Sequence, residues 1–137
     1  TKVRTWRASG RKQFAWRLQS RGPAGPEIMS YISSITARTG IGSSLAYLAA
    51  KAGVDALTIA LAKVLAAKIR VFSVSPAGVD TDFVAGRTRE TLQKTAERLP
   101  LAHVTTPDDV ARAVVACIVN LTSSTGIVVP VDEGRHL

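Results

Sequence analysis

Cys117 is the only cysteine among 137 residues, so no internal disulfide can hold this chain together. No unbroken apolar run reaches the ~18–20 residues that a bilayer-crossing helix requires, so neither a span nor a membrane partner is expected. A secretory signal is also missing, because residues 1–20 are basic and no apolar stretch follows them. The chain begins at Thr1 rather than Met, and a processed, trimmed or partial product is therefore expected. Acids are scarce: 10 Asp and Glu stand against 18 Lys and Arg, for a formal net charge of +8. What remains is ordinary for a folded domain. Apolar residues make up 46% and charged residues 20%, which excludes bulk disorder, a collagen-like repeat and a disulfide scaffold. The length fits one small domain.

The positive charge is uneven. Seven of the cations (Lys2, Arg4, Arg7, Arg11, Lys12, Arg17, Arg21) fall within residues 1–27, against the single acid Glu27. This first part is expected to be a basic leader, helical or disordered, since Phe14, Ala15 and Leu18 have helix spacing. Arg21-Gly22-Pro23-Ala24-Gly25-Pro26 then makes a turn-rich break. A basic arm can attract phosphates. Trp6, Phe14 and Trp16 interleave with its cations, yet no nucleic-acid-binding motif accompanies them, and nucleic acid is not an expected partner.

From residue 28 the chain becomes regular. Ile28-Met29-Ser30-Tyr31-Ile32-Ser33 reads as a short strand, followed by a loop with Gly40 and Gly42. Ser43 or Ser44 then caps a long, alanine- and leucine-rich helix to about Lys68. Ile69-Arg70-Val71-Phe72-Ser73-Val74 is a second strand, which ends at Pro76 and Gly78. A polar helix is expected over 87–98. Thr106-Pro107-Asp108-Asp109 is a strong helix start, with a threonine cap, proline at the first position and two acids at the positive end of the dipole. Ile127-Val128-Val129-Pro130-Val131 is a third strand. Strands alternating with helices make a parallel α/β layer the economical architecture.

Tyr47 and Lys51 are four residues apart near the start of the long helix, which puts both on one face. An ammonium beside a phenol favours the phenolate, and the helix N-terminus acts in the same direction. Ser34 ends the preceding strand, where ligands gather in open α/β sheets. Its hydroxyl could donate to a carbonyl oxygen while Tyr47 moves the proton. His103 and His136 are isolated in sequence and read as surface histidines rather than metal ligands. Cys117 lies on the apolar face of the last helix and reads as core.

This arrangement resembles the short-chain dehydrogenase/reductase family. Ser33-Ser34 ends a strand, a glycine-containing loop follows, and Tyr47-Leu48-Ala49-Ala50-Lys51 stands thirteen positions after Ser34. Downstream, Pro76-Ala77-Gly78-Val79-Asp80-Thr81 is similar to the family's Pro-Gly-x-x-x-Thr, with glycine one place late. Leu99-Pro100-Leu101 and Thr106-Pro107-Asp108-Asp109-Val110-Ala111 look like the segment before its last long helix. Thr125-Gly126 to Val131-Asp132-Glu133-Gly134 resembles its closing Thr-Gly-x-x-x-x-Val-Asp-Gly-Gly, with Glu133 where glycine is usual.

The resemblance covers residues 27–137. It implies a partial doubly wound, Rossmann-like parallel sheet, here its last three strands with flanking helices. It implies an NAD(P)-dependent oxidoreductase, with either NAD or NADP as cofactor, acting between a small-molecule ketone and a secondary alcohol. By it, Tyr47 is the acid/base, Lys51 lowers its pKa and touches the nicotinamide ribose, and Ser34 orients the carbonyl. Pro76, Val79 and Thr81 would lie along the carboxamide; no metal is needed. A cytoplasmic homo-dimer or homo-tetramer is expected, paired through the long helix, where Ala49, Ala56, Ala60 and Ala67 permit close approach.

The family's cofactor-binding first half has no counterpart here. No Thr-Gly-x-x-x-Gly-x-Gly run occurs, and the family's upstream asparagine is missing from residues 1–27, Asn120 being the only asparagine. Without the first four strands, a strand edge and apolar helix surface are expected to be bare. Such a piece should belong to a longer protein or pair with another chain. The 137 residues alone are therefore expected to be inactive. Two readings follow: the catalytic half of an oxidoreductase, or a non-catalytic oligomerisation or binding fragment that keeps the motifs.

Overall fold

A run of β-branched and aromatic residues flanked by lysine on one side and proline on the other produces β4 (Ile69–Pro76), the most deeply buried strand. In the computed structural model, residues 2–6, 15–19, 27–66, 68–81, 86 and 88–137 are described. On one side of β4 lies β3 (Glu27–Ile32), on the other β5 (Ile127–Val131), both parallel to it. Parallel neighbours need crossovers, and helices supply them: α1 (Thr36–Thr39) and α2 (Leu45–Leu65) between β3 and β4, then α3 (Arg89–Ala96) and α4 (Pro107–Val119) before β5.

The expected caps are present. Ser44 accepts from Tyr47 N at 3.1 Å, and Thr106 and Asp109 form a reciprocal capping box around Pro107. The three-stranded parallel core with helices on its faces is the architecture expected from the sequence.

Alternation along β4 sends its side chains to two helices. Ser73 Oγ donates to Asp55 on α2 at 3.2 Å. On the opposite face, Phe72 joins Ile28 and Cys117 in a buried cluster, with Ile118, Leu121, Ile127 and Val129 against it. Cys117 is thus core, and burial pushes its thiol pKa up. Gly126, at φ +71°, lets the start of β5 approach α2, because a Cβ there would stand 3.1 Å from that of Ala62.

Arg70 anchors the same α4 face. It is 8% exposed, and its guanidinium donates to the carbonyls of Cys117 (3.2 Å), Ile118 (2.9 Å) and Leu121 (2.7 Å). The carbonyls of Cys117 and Ile118 in the last turn of α4, and that of Leu121 just beyond it, thereby receive donors.

Two expectations are corrected here. The helix spacing read at Ala15 and Leu18 is not realised as a helix, Phe14 lying outside the described residues: β2 (Ala15–Gln19) is a strand, antiparallel to both β1 (Lys2–Trp6) and β3. The basic leader, residues 1–27, therefore contributes two strands to the sheet across the boundary drawn at 27/28. The physical reason is the edge of β3, whose outward N–H and C=O groups would otherwise lack partners. Pairing with β2 satisfies them within the chain, so the edge expected to be bare is covered.

The second concerns α2. Its 21 residues have a mean hydropathy of 1.5 over the best window, long and apolar enough to cross a bilayer. Counting unbroken apolar residues misses this, because Lys51 and Asp55 interrupt the run without lowering its mean much. Both residues are bonded to the sheet, so α2 works as a sheet-covering helix whose outer face is uncovered. Leu45, Leu57, Ile59 and Val64 are exposed on it.

Candidate active site

Because β3, β4 and β5 run in the same direction, their carboxyl ends collect at one end of the sheet, where the connecting loops can meet. The ladder continues past β3, with Ser33 N donating to Val74 O at 2.7 Å and Ile35 N to Pro76 O at 3.0 Å. Ser33 and Ser34 are therefore held rigidly and buried beside the end of β4. Ser34 Oγ donates to Thr36 Oγ1 at 3.1 Å and accepts from Thr36 N at 3.3 Å. Thr36 is also buried, and Gly42 presses on it so closely that any Cβ at that position would overlap its side chain.

Tyr47 stands in the first turn of α2, half-buried, with Lys51 one turn further on. Their shared face is realised: the Lys51 ammonium lies 5.6 Å from the centre of the Tyr47 ring, within reach of a cation–π attraction. Lys51 Nζ donates to Ile32 O at 2.8 Å, and Ser33 Oγ donates to Lys51 O at 3.3 Å. The lysine is thus fixed at both ends against the tip of β3. Burial lowers its pKa, more than the neighbouring Asp55 carboxylate raises it.

The residues expected along a carboxamide occupy the same end of the sheet. Pro76 closes β4 and is buried, and Ala77 N donates to Val131 O at 3.0 Å. Val79 is half-buried, and Asp80 N donates to Thr105 O at 2.9 Å. Thr81 ends this described stretch and is exposed. All six candidates (Ser34, Tyr47, Lys51, Pro76, Val79 and Thr81) therefore lie at the carboxyl end of the three parallel strands.

Several neighbours were not read from the sequence. Thr36 engages the Ser34 hydroxyl, and Asp55 links α2 to β4. Ser75, fully buried near the end of β4 on the α2 face, has an Oγ with no hydrogen-bond partner among the described residues. Glu133 sits at φ +55°, in the left-handed region that explains the family's glycine there. Its buried carboxylate accepts from Thr105 Oγ1 at 2.5 Å. Threonine and serine hydroxyls carry little signal in sequence, and only the positive φ at 133 had a pointer. Both histidines are exposed, as expected, and each meets one carboxylate: His103 Nε2 lies 3.1 Å from Asp109 and His136 Nδ1 2.8 Å from Asp132. Bonds from Thr106, then from His103, hold the Asp109 carboxyl far below its usual pKa.

Comparison with known proteins gives these features a setting. A family model described as "Enoyl-(Acyl carrier protein) reductase" matches residues 15–136. The short-chain dehydrogenase/reductase homolog YusR of Bacillus subtilis is 38% identical over 106 residues, covering 77% of this chain and 81% of that protein. A short-chain dehydrogenase/reductase from Burkholderia xenovorans superposes with a TM-score of 0.73 at 30% identity, over 84% of this chain and 44% of that one. The 3-ketoacyl-(acyl-carrier-protein) reductase of Brucella melitensis, solved with NADH, does so with a TM-score of 0.70 at 30% identity, over 82% and 45%. YusR is thus similar in length, whereas the chain spans about half the length of these solved structures.

Proposed function

This chain belongs to the short-chain dehydrogenase/reductase family, and from that premise we propose that it carries the catalytic half of an NAD(P)-dependent oxidoreductase. The reaction is hydride transfer between a nicotinamide and a ketone or secondary alcohol. The observation that supports this most directly is the site at the carboxyl end of the sheet. There Lys51 is clamped to Ile32 O and lies against the Tyr47 ring, while Ser34 is held rigidly at the neighbouring strand tip.

The donor set suits the nicotinamide half of the cofactor. Lys51 Nζ spends one proton on Ile32 O and has two more to offer ribose hydroxyls. Pro76, Val79 and Thr81 would flank the carboxamide. The pyrophosphate half is not matched in sequence, because Gly22, Gly25, Gly40 and Gly42 lack the spacing of the glycine-rich turn that opens a helix after a strand. When bound, the nicotinamide supplies or accepts the hydride; NADH or NADPH both suit this site.

This chain's residues handle the proton. In the reducing direction the Tyr47 hydroxyl gives its proton to the carbonyl oxygen, and in the oxidising direction its phenolate takes the alcohol proton. The Lys51 ammonium and the positive end of α2 stabilise that phenolate. Ser34 orients the carbonyl by hydrogen bonding, for which its proton must turn away from Thr36 Oγ1. The test is reduced-nicotinamide oxidation by the protein isolated from its source, with a panel of ketones including β-ketoacyl thioesters. Tyr47→Phe should cost roughly 10²–10⁴-fold in turnover, the usual contribution of a positioned acid. Turnover within tenfold of the parent would refute the assignment.

The uncovered apolar face of α2 favours a second reading, in which this chain acts in assembly as a non-catalytic family member. Catalysis abolished by Tyr47→Phe excludes it.

A further inference from the structure

The proton-handling residues do not line a second feature: α3 and the segment after β5 form an open cleft of about 370 Å³, lined by Thr91, Lys94, Thr95, Arg98, Leu99 and Arg135. That volume lies within the range of small-ligand sites. Three of its six lining residues are cationic and none is acidic. Of these three cations Lys94 pairs with the exposed Glu90 at 2.8 Å. Arg98 and Arg135 have no ion-pair partner among the described residues, and neighbouring Glu97 does not line the cleft. Two positive charges without an acidic partner among the described residues thus face one space, which the Thr91 and Thr95 side chains also line.

The walls are pinned to each other. Leu101 N, just beyond α3, donates to Glu133 O at 3.2 Å, and Arg135 N donates to Asp132 O at 2.8 Å. Gly134 packs so tightly on Pro100 that a Cβ there would stand 2.8 Å from the proline Cγ. Below them, buried Glu133 holds Thr105. The two arginines are therefore carried on a fixed frame, which lowers the ordering cost of gathering an anion.

We propose that this cleft binds the dianionic phosphate monoester group of a small ligand. Two guanidinium forks match phosphate oxygens in geometry, and two unmatched charges match its valence. The ordinary alternative is that these cations only complement the negative C-terminal end of α3. That alternative predicts no saturable anion binding.

Titrating the full chain with inorganic phosphate, against sodium chloride at equal ionic strength, separates the two. Amide resonances of residues 91–99 and 135 should move saturably with phosphate, with a millimolar midpoint, and not with chloride. Arg98→Ala/Arg135→Ala should weaken the midpoint at least tenfold. Both side chains are exposed, so the fold should survive. Arg98→Lys/Arg135→Lys, which keeps the charges but not the forks, should fall between the parent chain and the alanine pair. Equal shifts in chloride, or a midpoint unchanged in the alanine pair, would overturn the proposal.

Discussion

Replacing Arg70 by methionine removes a charge from the α4 face of the sheet while keeping most of its volume, so a cavity contributes little. Three hydrogen bonds from the guanidinium to the carbonyls of Cys117, Ile118 and Leu121 are lost. Bonds from a charged donor contribute about 1.5–3 kcal/mol each. The stacking of Arg70 over the Phe72 ring, 5.2 Å away, adds about 0.5–2 kcal/mol. Against these gains stands the desolvation of a buried cation, several kcal/mol, aggravated by an Nε without a partner among the described residues. The opposing terms leave a net loss of about 3 kcal/mol, at the lower end of what breaking a buried charged pair costs. With a urea slope of about 2 kcal/mol/M, the midpoint should fall by about 1.5 M. Arg70→Lys keeps the charge but not the fork, and should fall between the two. The assay is urea denaturation of the 137-residue chain, followed by far-ultraviolet circular dichroism. A midpoint for Arg70→Met within 0.3 M of the parent, an allowance of about 0.6 kcal/mol at that slope, would refute the reasoning. The last turn of α4 would then be satisfied by water, and the guanidinium would be incidental.

Three further outcomes are expected. Gly42→Ala forces its Cβ into Thr36, which should cost about 1–3 kcal/mol as overpacking and displace the partner of Ser34 Oγ; unchanged thermal unfolding would contradict this contact. Burial holds the Lys51 pKa below the 10.5 of an unperturbed lysine, so between those two values the unfolded chain binds the extra proton and stability contributed at this site rises with pH. Urea midpoints of the parent minus those of Lys51→Met should therefore increase as pH climbs toward 10.5, and a decrease would show that Asp55 outweighs burial. Finally, the exposed Leu45, Leu57, Ile59 and Val64 on α2 should drive self-association, and sedimentation as a strict monomer at tens of micromolar, about an ordinary assay concentration, would count against it.

Local chemistry was enough to place much of this chain. Thr106, Pro107 and Asp109 announce the start of α4 because a capping box needs only residues within one turn. Ser44 does the same for α2, and a four-residue interval by itself puts Tyr47 and Lys51 on one face. The runs at 28, 69 and 127 are β-branched and short, so β3, β4 and β5 were legible together with their parallel order. Tertiary structure decided the rest. The five residues of β2 are too few for periodicity to separate helix from strand, and the unpaired edge of β3, nearly ten residues away in the chain, determines the outcome. Arg70 reads as a stray charge in an apolar strand until α4, nearly fifty residues later, brings three carbonyls to it. Ser73 meets its partner Asp55 only when α2, eighteen residues earlier in the chain, lies across β4. Neighbours along the chain determine caps, turns and periods, whereas the partners of buried polar groups lie at separations that no local pattern encodes.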